Sequence, residues 1–149
     1  MSVVAADIHI DAPVETVWAT IMDPHRFGDW VTIHRHVDCA DAGPPRKGME
    51  MHQTLCLRGA NFKVKWKLGT CDEPRKAEWV GKGPMGSNAS TIYELSPASD
   101  GGTDFHYVNE FKAPGGPLGA VASRVLVGGV PEREAKASLE RLRALLEKR

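Results

Sequence analysis

Apolar and polar residues alternate through most of the middle of the chain. In the clearest stretch, residues 62–68, four apolar side chains are separated by three lysines. A period of two is typical of a β-strand with one covered and one solvated face. Comparable stretches predict six further strands, at residues 3–10, 31–39, 49–57, 76–82, 87–95 and 103–111. Because short turns separate most of these stretches, we expect an antiparallel sheet.

Short helical signals follow the first predicted strand. Pro13 suits the first turn of a helix and Glu15 is favourable at its positive end, so a helix is predicted over residues 14–22. Asp23-Pro24 should end it, because proline lacks the N–H that the next turn requires. A second short helical turn is expected over residues 25–30, with Trp30 entering the core.

The pattern changes to a helical period after Pro117. The apolar residues that recur at helical spacing are Leu118, Val121, Val125, Leu126, Leu139, Leu142, Leu145 and Leu146. Gly128-Gly129 followed by Pro131 should kink or split this helix. The whole pattern predicts one α+β domain over residues 1–149, with two short helices after strand 1 and a long C-terminal helix.

Composition narrows the classes of function. Nineteen basic residues balance nineteen acidic ones among 149 residues, so no net charge favours nucleic acid or an anionic membrane. Three irregularly spaced cysteines predict reduced thiols, and no cofactor is indicated. With no export signal and no apolar membrane span, we expect a cytoplasmic protein, either a monomer or a homodimer.

The first predicted strand and helix, and the last two predicted strands, resemble those of a known superfamily. Ile8 to Trp18, read IHIDAPVETVW, followed by Asp23-Pro24 and Trp30, is similar to the first strand and helix of the START-like (SRPBCC) superfamily that includes polyketide cyclases/dehydrases. Tyr93 to Pro97 and then Gly102-Thr103 are similar to its last strands. The resemblance implies the helix-grip fold, in which a curved antiparallel sheet wraps around the C-terminal helix and leaves a cavity for a small hydrophobic molecule such as a lipid, polyketide or phenolic.

The inward side of the predicted sheet supplies the candidate ligand-binding residues. Neutral polar candidates are Gln53, Thr91, Tyr93, Tyr107 and Asn109; aromatic candidates are Trp66, Trp79 and Phe111; the helix would add Leu118, Val121 and Val125. These groups orient a ligand rather than ionise. The alternative is that they form an ordinary core and satisfy one another.

Histidines are the candidates for metal binding or acid/base chemistry. His34, His36 and the next strand's His52 could meet on one face, but alternation places His52 on the polar side, so no metal site is predicted. Arg35 shares the inward face with Val37 unless a bulge turns Arg35 out and brings the histidines in. Two main hypotheses therefore remain: a non-catalytic binding protein, and an aromatase/cyclase or dehydratase using Arg35, Tyr93, Tyr107, His34 or His36. A third and weaker alternative is a non-enzymatic interaction module, such as a chaperone-like partner of another enzyme.

Overall fold

A computed structural model describes residues 2–38, 40–57, 59–112 and 130–147. The strands are β1 (Ser2–Ile10), β2 (His34–Asp38), β3 (Glu50–Leu57), β4 (Ala60–Asp72), β5 (Lys76–Lys82), β6 (Asn88–Pro97) and β7 (Thr103–Lys112). The helices are α1 (Val14–Ile21), α2 (Phe27–Trp30) and α3 (Val130–Glu147), with 3-10 turns at Pro24–Arg26 and Pro84–Gly86. No helix in the described ranges is long and apolar enough to cross a membrane.

The described strands form one antiparallel sheet in the order β1-β7-β6-β5-β4-β3-β2. The first strand therefore pairs with the last, and β2 lies at the opposite edge. The sheet is curled into a half-barrel with the C-terminal helix and the early short helices, which is the helix-grip α+β fold that the sequence predicts. Predicted and observed strands agree closely, and β5 spans the predicted residues 76–82.

The core lies between the inner face of the sheet and the three helices. Trp18 and Ile21 cover one end from α1, Trp30 enters from α2, and Leu139 and Leu142 enter from α3; each is at most 3% exposed. Burying such side chains contributes about 1.5–3 kcal/mol each before conformational entropy is counted. The amphipathic pattern of the last helix thus indicates correctly which side faces the sheet.

Two element boundaries can be traced to particular residues. Strand β2 begins at His34 rather than Val31, because the backbone N–H of Thr32 is donated to Ser138 Oγ of α3 and that of His34 returns to the Val31 carbonyl, at 3.0 and 3.1 Å. The predicted kink at Gly128-Gly129 lies outside the described residues. Helix α3 begins at Val130, so Pro131 occupies its first turn, where a missing N–H costs no helical bond.

Candidate functional site

A cavity of about 60 Å³ lies between the inner face of the sheet and helices α2 and α3. Seven residues that the sequence places on the inward face line it: Gln53, Trp66, Trp79, Thr91, Tyr93, Tyr107 and Asn109. Their positions on alternate residues of β3 to β7 bring them to one surface. The volume is several times the minimum that one water molecule requires.

The other four predicted site residues have different outcomes. Phe111 is half-buried opposite Ala89 at the far end of β7 and does not line the cavity. Leu118, Val121 and Val125 lie outside the described residues. Their proposed contact with a ligand therefore remains a prediction.

Seven cavity residues are not among the candidates from the sequence: Phe27, Trp30, Val31, Ile33, Met51, Leu55 and Ser138. Met51 and Leu55 follow from the same alternation that selects Gln53, and Trp30 is predicted as a core residue. Ser138 lies one helical turn before Leu142, so helical spacing gives a signal for it too. Val31 and Ile33 reach the cavity because the chain turns there instead of continuing as a strand.

A hydrogen-bond chain leads from the buried Trp66 in the cavity wall to the half-buried His34. The Trp66 indole N–H is donated to Gln53 Oε1 at 2.9 Å, and Gln53 Nε2 lies 2.9 Å from His34 Nδ1. An indole nitrogen can only donate, so the Gln53 carbonyl faces Trp66 and its amide N–H faces the histidine. His34 Nδ1 must then accept, which assigns the neutral ring with its proton on Nε2. In agreement, burial lowers the pKa of His34, and the nearby His36 lowers it further.

Glycine 81 makes room for this arrangement. A Cβ atom placed there would lie 2.6 Å from Val64 Cγ1 and 2.7 Å from the Trp66 ring, closer than real Cβ atoms approach. The Trp66 ring therefore lies across the backbone of β5, where only glycine leaves enough space. This close approach holds Trp66 in reach of Gln53.

A β-bulge decides which residues of β2 face inward. His34 pairs with Leu55 and His36 pairs with the adjacent Thr54, so Arg35 is an extra residue in the strand. Arg35 and His36 are exposed, whereas the His34 ring packs edge-on against Phe27 with the ring centroids 5.8 Å apart. Arg35 therefore does not enter the cavity, and of the two histidines only His34 turns inward.

Two tyrosines supply the phenol groups of the cavity. The Tyr93 and Tyr107 rings stack with their centroids 6.0 Å apart, and the Tyr93 ring meets Phe105 edge-on. Burial raises the pKa of Tyr107 to about 12, against a smaller lowering by its hydrogen bond to Asn109. Burial also raises the pKa of Tyr93, and Tyr107 adds to this. Both phenols keep their protons at neutral pH, so they can donate hydrogen bonds but are poor bases.

Two further tryptophans at the cavity have no hydrogen-bond partner. Trp30 and Trp79 are 1% and 2% exposed, and within the described part of the chain the Nε1 atom of each is buried and unpaired. Buried donors are nearly always bonded in native proteins. Trp30 and Trp79 therefore carry buried indole N–H groups that no described residue binds.

Helix α3 is held over the cavity by a small polar cluster. Ser138 lines the cavity and its hydroxyl accepts from the Thr32 backbone N–H. The Thr32 hydroxyl donates to the Glu134 side chain and lies within 3.2 Å of Ser138 Oγ. These contacts fix the beginning of the described helix against the loop that precedes β2.

A larger groove of about 770 Å³ lies outside the grip, between α1, the segment 40–49 and the turn at Glu73-Pro74. Trp18, Met22 and Met49 form its apolar part, and four carboxylates lie along it: Glu15, Asp23, Asp41 and Glu73. Three of these carboxylates already accept protein hydrogen bonds, from His25 N, Glu50 N and Trp18 Nε1. Three of the four groove carboxylates thus hold neighbouring N–H groups of the protein in place.

Several histidines outside the cavity lie beside carboxylates. His52 lies on the polar side, 3.9 Å from Asp38, as its alternation predicts. On the outer face of the sheet His9 contacts Asp100 and Asp104, and these carboxylates raise its pKa. Among the described residues, no group of three or more His, Cys, Asp or Glu is arranged to hold a metal ion.

These features define a class of protein: a helix-grip domain with a small internal cavity. The chain belongs to the family described as "Polyketide cyclase / dehydrase and lipid transport", whose match covers residues 1–147. The superfamily resemblance of the opening strand and helix is thereby confirmed.

Solved structures share the fold of this chain, and a curated relative is similar to it over most of its length. The Zhui aromatase/cyclase from Streptomyces sp. R1128 has a TM-score of 0.80 at 17% identity and covers 99% of this chain and 94% of its own. TTHA0849 from Thermus thermophilus has a TM-score of 0.78 at 16% identity and covers 99% and 100%. Toxin Rv0910 of Mycobacterium tuberculosis H37Rv is 23% identical over 135 residues, which is 89% of this chain and 92% of that protein.

Proposed function

We propose that this protein binds a small hydrophobic ligand in the cavity between the sheet and the C-terminal helix, without covalent chemistry of its own. The observation that carries the proposal is the lining of that cavity. It combines apolar and aromatic side chains with neutral polar groups, and no charged side chain of the described residues lines it. Such lining is typical of sites for small uncharged molecules.

The fit between cavity and ligand limits the ligand's size. About 60 Å³ is less than half of the roughly 150 Å³ that holds a benzene ring, so the cavity admits the end of a chain, and a ring requires the walls to move apart. Bringing ligand surface out of water drives binding, at roughly 25 cal/mol per Å² of apolar area. Predicted contacts to Leu118, Val121 and Val125 belong to the same proposal.

A binding screen with a cavity-filling control tests the proposal. Thermal shift and native mass spectrometry of the full chain would be run with lauric acid, 1-naphthol and 1-indanone. We expect at least one probe to bind the wild type and Val108→Phe, but not Asn109→Phe. Asn109 lies at the cavity, whereas Val108 is its neighbour on the other face of β7. Binding that Asn109→Phe leaves unchanged, or no binding by any probe, contradicts the proposal.

An aromatase/cyclase or dehydratase activity is the second candidate, favoured by the buried Tyr93 and the half-buried Tyr107, which both line the cavity with raised pKa values. A protonated phenol can donate a hydrogen bond to a substrate carbonyl as negative charge develops there. Arg35 and His36 are exposed, so the enzymatic hypothesis assigns them no catalytic role. Incubation with a short poly-β-ketone should then give cyclised product with the wild type and at least tenfold less with Tyr107→Phe; equal yields exclude a role for Tyr107.

A further inference from the structure

The outer face of the sheet, which points away from the helices, separates its charges by sign. The strand register brings together four exposed lysines on β4 and β5, which we name the basic cluster: Lys63, Lys65, Lys67 and Lys82. Lys65 and Lys82 lie directly opposite each other on neighbouring strands. Within the described part of the chain, Lys65 alone of the four forms an ion pair, 3.8 Å from Glu50. The basic cluster therefore carries mostly unbalanced positive charge.

The far end of the same face carries the opposite sign. Four exposed carboxylates on β1, β6, β7 and the turn after β6 form an acidic cluster: Asp7, Glu94, Asp100 and Asp104. Three of them line a depression of about 450 Å³ in the surface. His9 and His106 contact three of the four carboxylates, and Lys76 lies opposite Glu94. Even with Lys76 and a charged His9, four carboxylates leave this end negative.

An apolar band lies between the two clusters. Its members are Val80 on β5, Ile92 and Val108, which pair on β6 and β7, and Val3 on β1. Val80 and Val3 are 47% and 54% exposed, and they are the exposed large apolar residues of the described chain. Single exposed apolar residues are common, but here both lie on one face between clusters of opposite charge.

The order basic, apolar, acidic is complementary to itself. Turning a second copy by 180° about an axis that lies in the face and crosses the apolar band brings each basic cluster onto the other copy's acidic cluster. The two apolar bands then meet at the axis. A partner of one charge sign, such as nucleic acid or an anionic membrane, would be attracted by one cluster and repelled by the other. Because nineteen basic and nineteen acidic residues balance, no net charge opposes association of two copies.

We propose that two copies of this protein associate through the outer face of the sheet, with the basic cluster of each against the acidic cluster of the other. Lysine side chains of one copy then enter the depression at the acidic cluster of its partner. This face lies on the opposite side of the sheet from the cavity, so the proposal is independent of the proposed ligand.

The size of the face sets the expected strength. The five neighbouring strands from β1 to β4 span roughly 20 Å at about 4.8 Å spacing, and the 10 residues of β6 extend about 33 Å. The face thus offers at most roughly 650 Å² per copy, below the roughly 800 Å² of a standard interface. We therefore expect a weak dimer, with a dissociation constant on the order of 10 to 100 μM.

Sedimentation velocity of the full chain measures this association. The protein is examined at about 5 to 500 μM, in about 0.02 M and 0.5 M NaCl. We expect a monomer–dimer equilibrium whose dissociation constant rises at least tenfold at the higher salt, where the Debye length falls to about 4 Å. A wild type that stays monomeric over this range overturns the proposal.

Charge-reversal variants identify the surface. Lys65→Glu/Lys82→Glu makes both clusters acidic, and Glu94→Lys/Asp104→Lys makes both basic. Either variant alone should dimerise at least tenfold more weakly than the wild type. Mixed in equal amounts they should form a heterodimer, because every reversed cluster then meets one of opposite sign. The four positions are exposed, so circular dichroism should show an unchanged fold.

A matched control separates the face from attraction by net charge. Lys136→Glu/Arg141→Glu changes two exposed residues of α3, on the other side of the sheet, and has the same net charge as the lysine variant. This control should dimerise like the wild type and form less heterodimer with Glu94→Lys/Asp104→Lys than the lysine variant does. Equal heterodimer formation, or a dimer that both reversals leave unchanged, contradicts the outer face as the interface.

The apolar band gives a test without any change of charge. Val80→Thr exchanges a methyl for a hydroxyl group at similar volume and should weaken dimerisation about threefold. This variant decides the matter if a charge-reversal variant fails to fold, and an unchanged dissociation constant then counts against the proposal.

Vesicles of phosphatidylglycerol examine the other occupant of the basic cluster. We expect the wild type to dimerise and not to sediment with them. If it stays monomeric and sediments with vesicles, while Lys65→Glu/Lys82→Glu does not, the lysines bind an anionic surface and the proposed dimer is wrong.

Discussion

The internal cavity and the outer groove differ in size and in how their polar groups are paired. The groove is more than ten times larger, about 770 Å³ against 60 Å³. Three of its four carboxylates nevertheless already bind protein N–H groups, while the cavity retains two buried indoles that no described residue satisfies. If volume were the only criterion for a ligand site, the groove would be chosen.

If the cavity is the ligand site, its lining and not its volume distinguishes it from the groove. A groove forms wherever a helix and a loop meet imperfectly, and water fills it at little cost. A buried donor without a partner is expensive, and selection retains it only where something compensates. Four experiments test the packing and the hydrogen bonds on which this contrast rests. They are given from the largest expected effect to the smallest.

The largest effect is expected when Leu142, a core side chain of α3, is shortened. Leu142 is fully buried, so Leu142→Ala should lower the free energy of unfolding by about 2–5 kcal/mol, measured by urea denaturation. Leu145→Ala, at a half-buried position of the same helix, should cost clearly less. Equal losses would mean that α3 does not pack on the sheet as described.

The next test compares a paired with an unpaired indole. Trp66→Phe leaves Gln53 Oε1 without its donor, whereas Trp79→Phe removes a donor that has no partner among the described residues. Both lose the same ring volume, so Trp66→Phe should be the more destabilising by about 1–3 kcal/mol in chemical denaturation. If Trp79→Phe costs as much, its N–H has a partner, and the contrast between cavity and groove disappears.

A smaller effect is expected in the groove. Glu73→Ala leaves the buried Trp18 N–H unpaired and should reduce the free energy of unfolding by about 1 kcal/mol. Glu73→Gln keeps an acceptor oxygen and should restore most of that loss, because the bond and not the charge is responsible. No difference between the two variants in thermal denaturation would show that the carboxylate is free.

The smallest effect is a dependence of stability on pH. The pKa of His34 is lowered in the folded state from 6.5, so stability is fully present above about 6.5 and is lost as pH falls toward the folded pKa. His9 acts oppositely, because its raised pKa stabilises the fold at low pH and that contribution disappears as pH rises.

Single variants separate these two contributions. His34→Gln should flatten the fall in melting temperature between pH 7 and 5, whereas His25→Gln removes an exposed histidine of the groove and serves as control. A slope that His34→Gln leaves unchanged would contradict the neutral His34 inferred from the Gln53 contact.

Much of this architecture could be predicted from local patterns. Alternation identifies the inward residues of β3 to β7 because one sheet face is covered and the other is wet, and seven cavity residues follow directly. The bulge at Arg35 could not be predicted, since HRHVD contains no glycine or proline to indicate an irregular strand. The turn at Val31 to Ile33 depends on Ser138, more than a hundred residues away, and only the fold brings them together.

Sequence patterns also do not predict which buried hydrogen-bond donors remain unpaired. Trp30 and Trp79 are recognisable as core residues, but whether an indole N–H has a partner depends on side chains from several strands and helices. The same holds for Trp18 and Glu73, which are 55 residues apart. Hydrophobic periodicity therefore predicts which side chains are buried and does not predict which polar atoms remain unpaired.

The Arg35 bulge has a consequence for how related chains can differ in length. Because His34 and His36 pair with the neighbouring residues Leu55 and Thr54, removing the intervening residue would leave both on their present faces. A one-residue deletion in the middle of β3 would instead turn half of that strand inside out. Insertions and deletions among homologues should accordingly accumulate at position 35, and an alignment that allows no gap there would assign His34 to the wrong column.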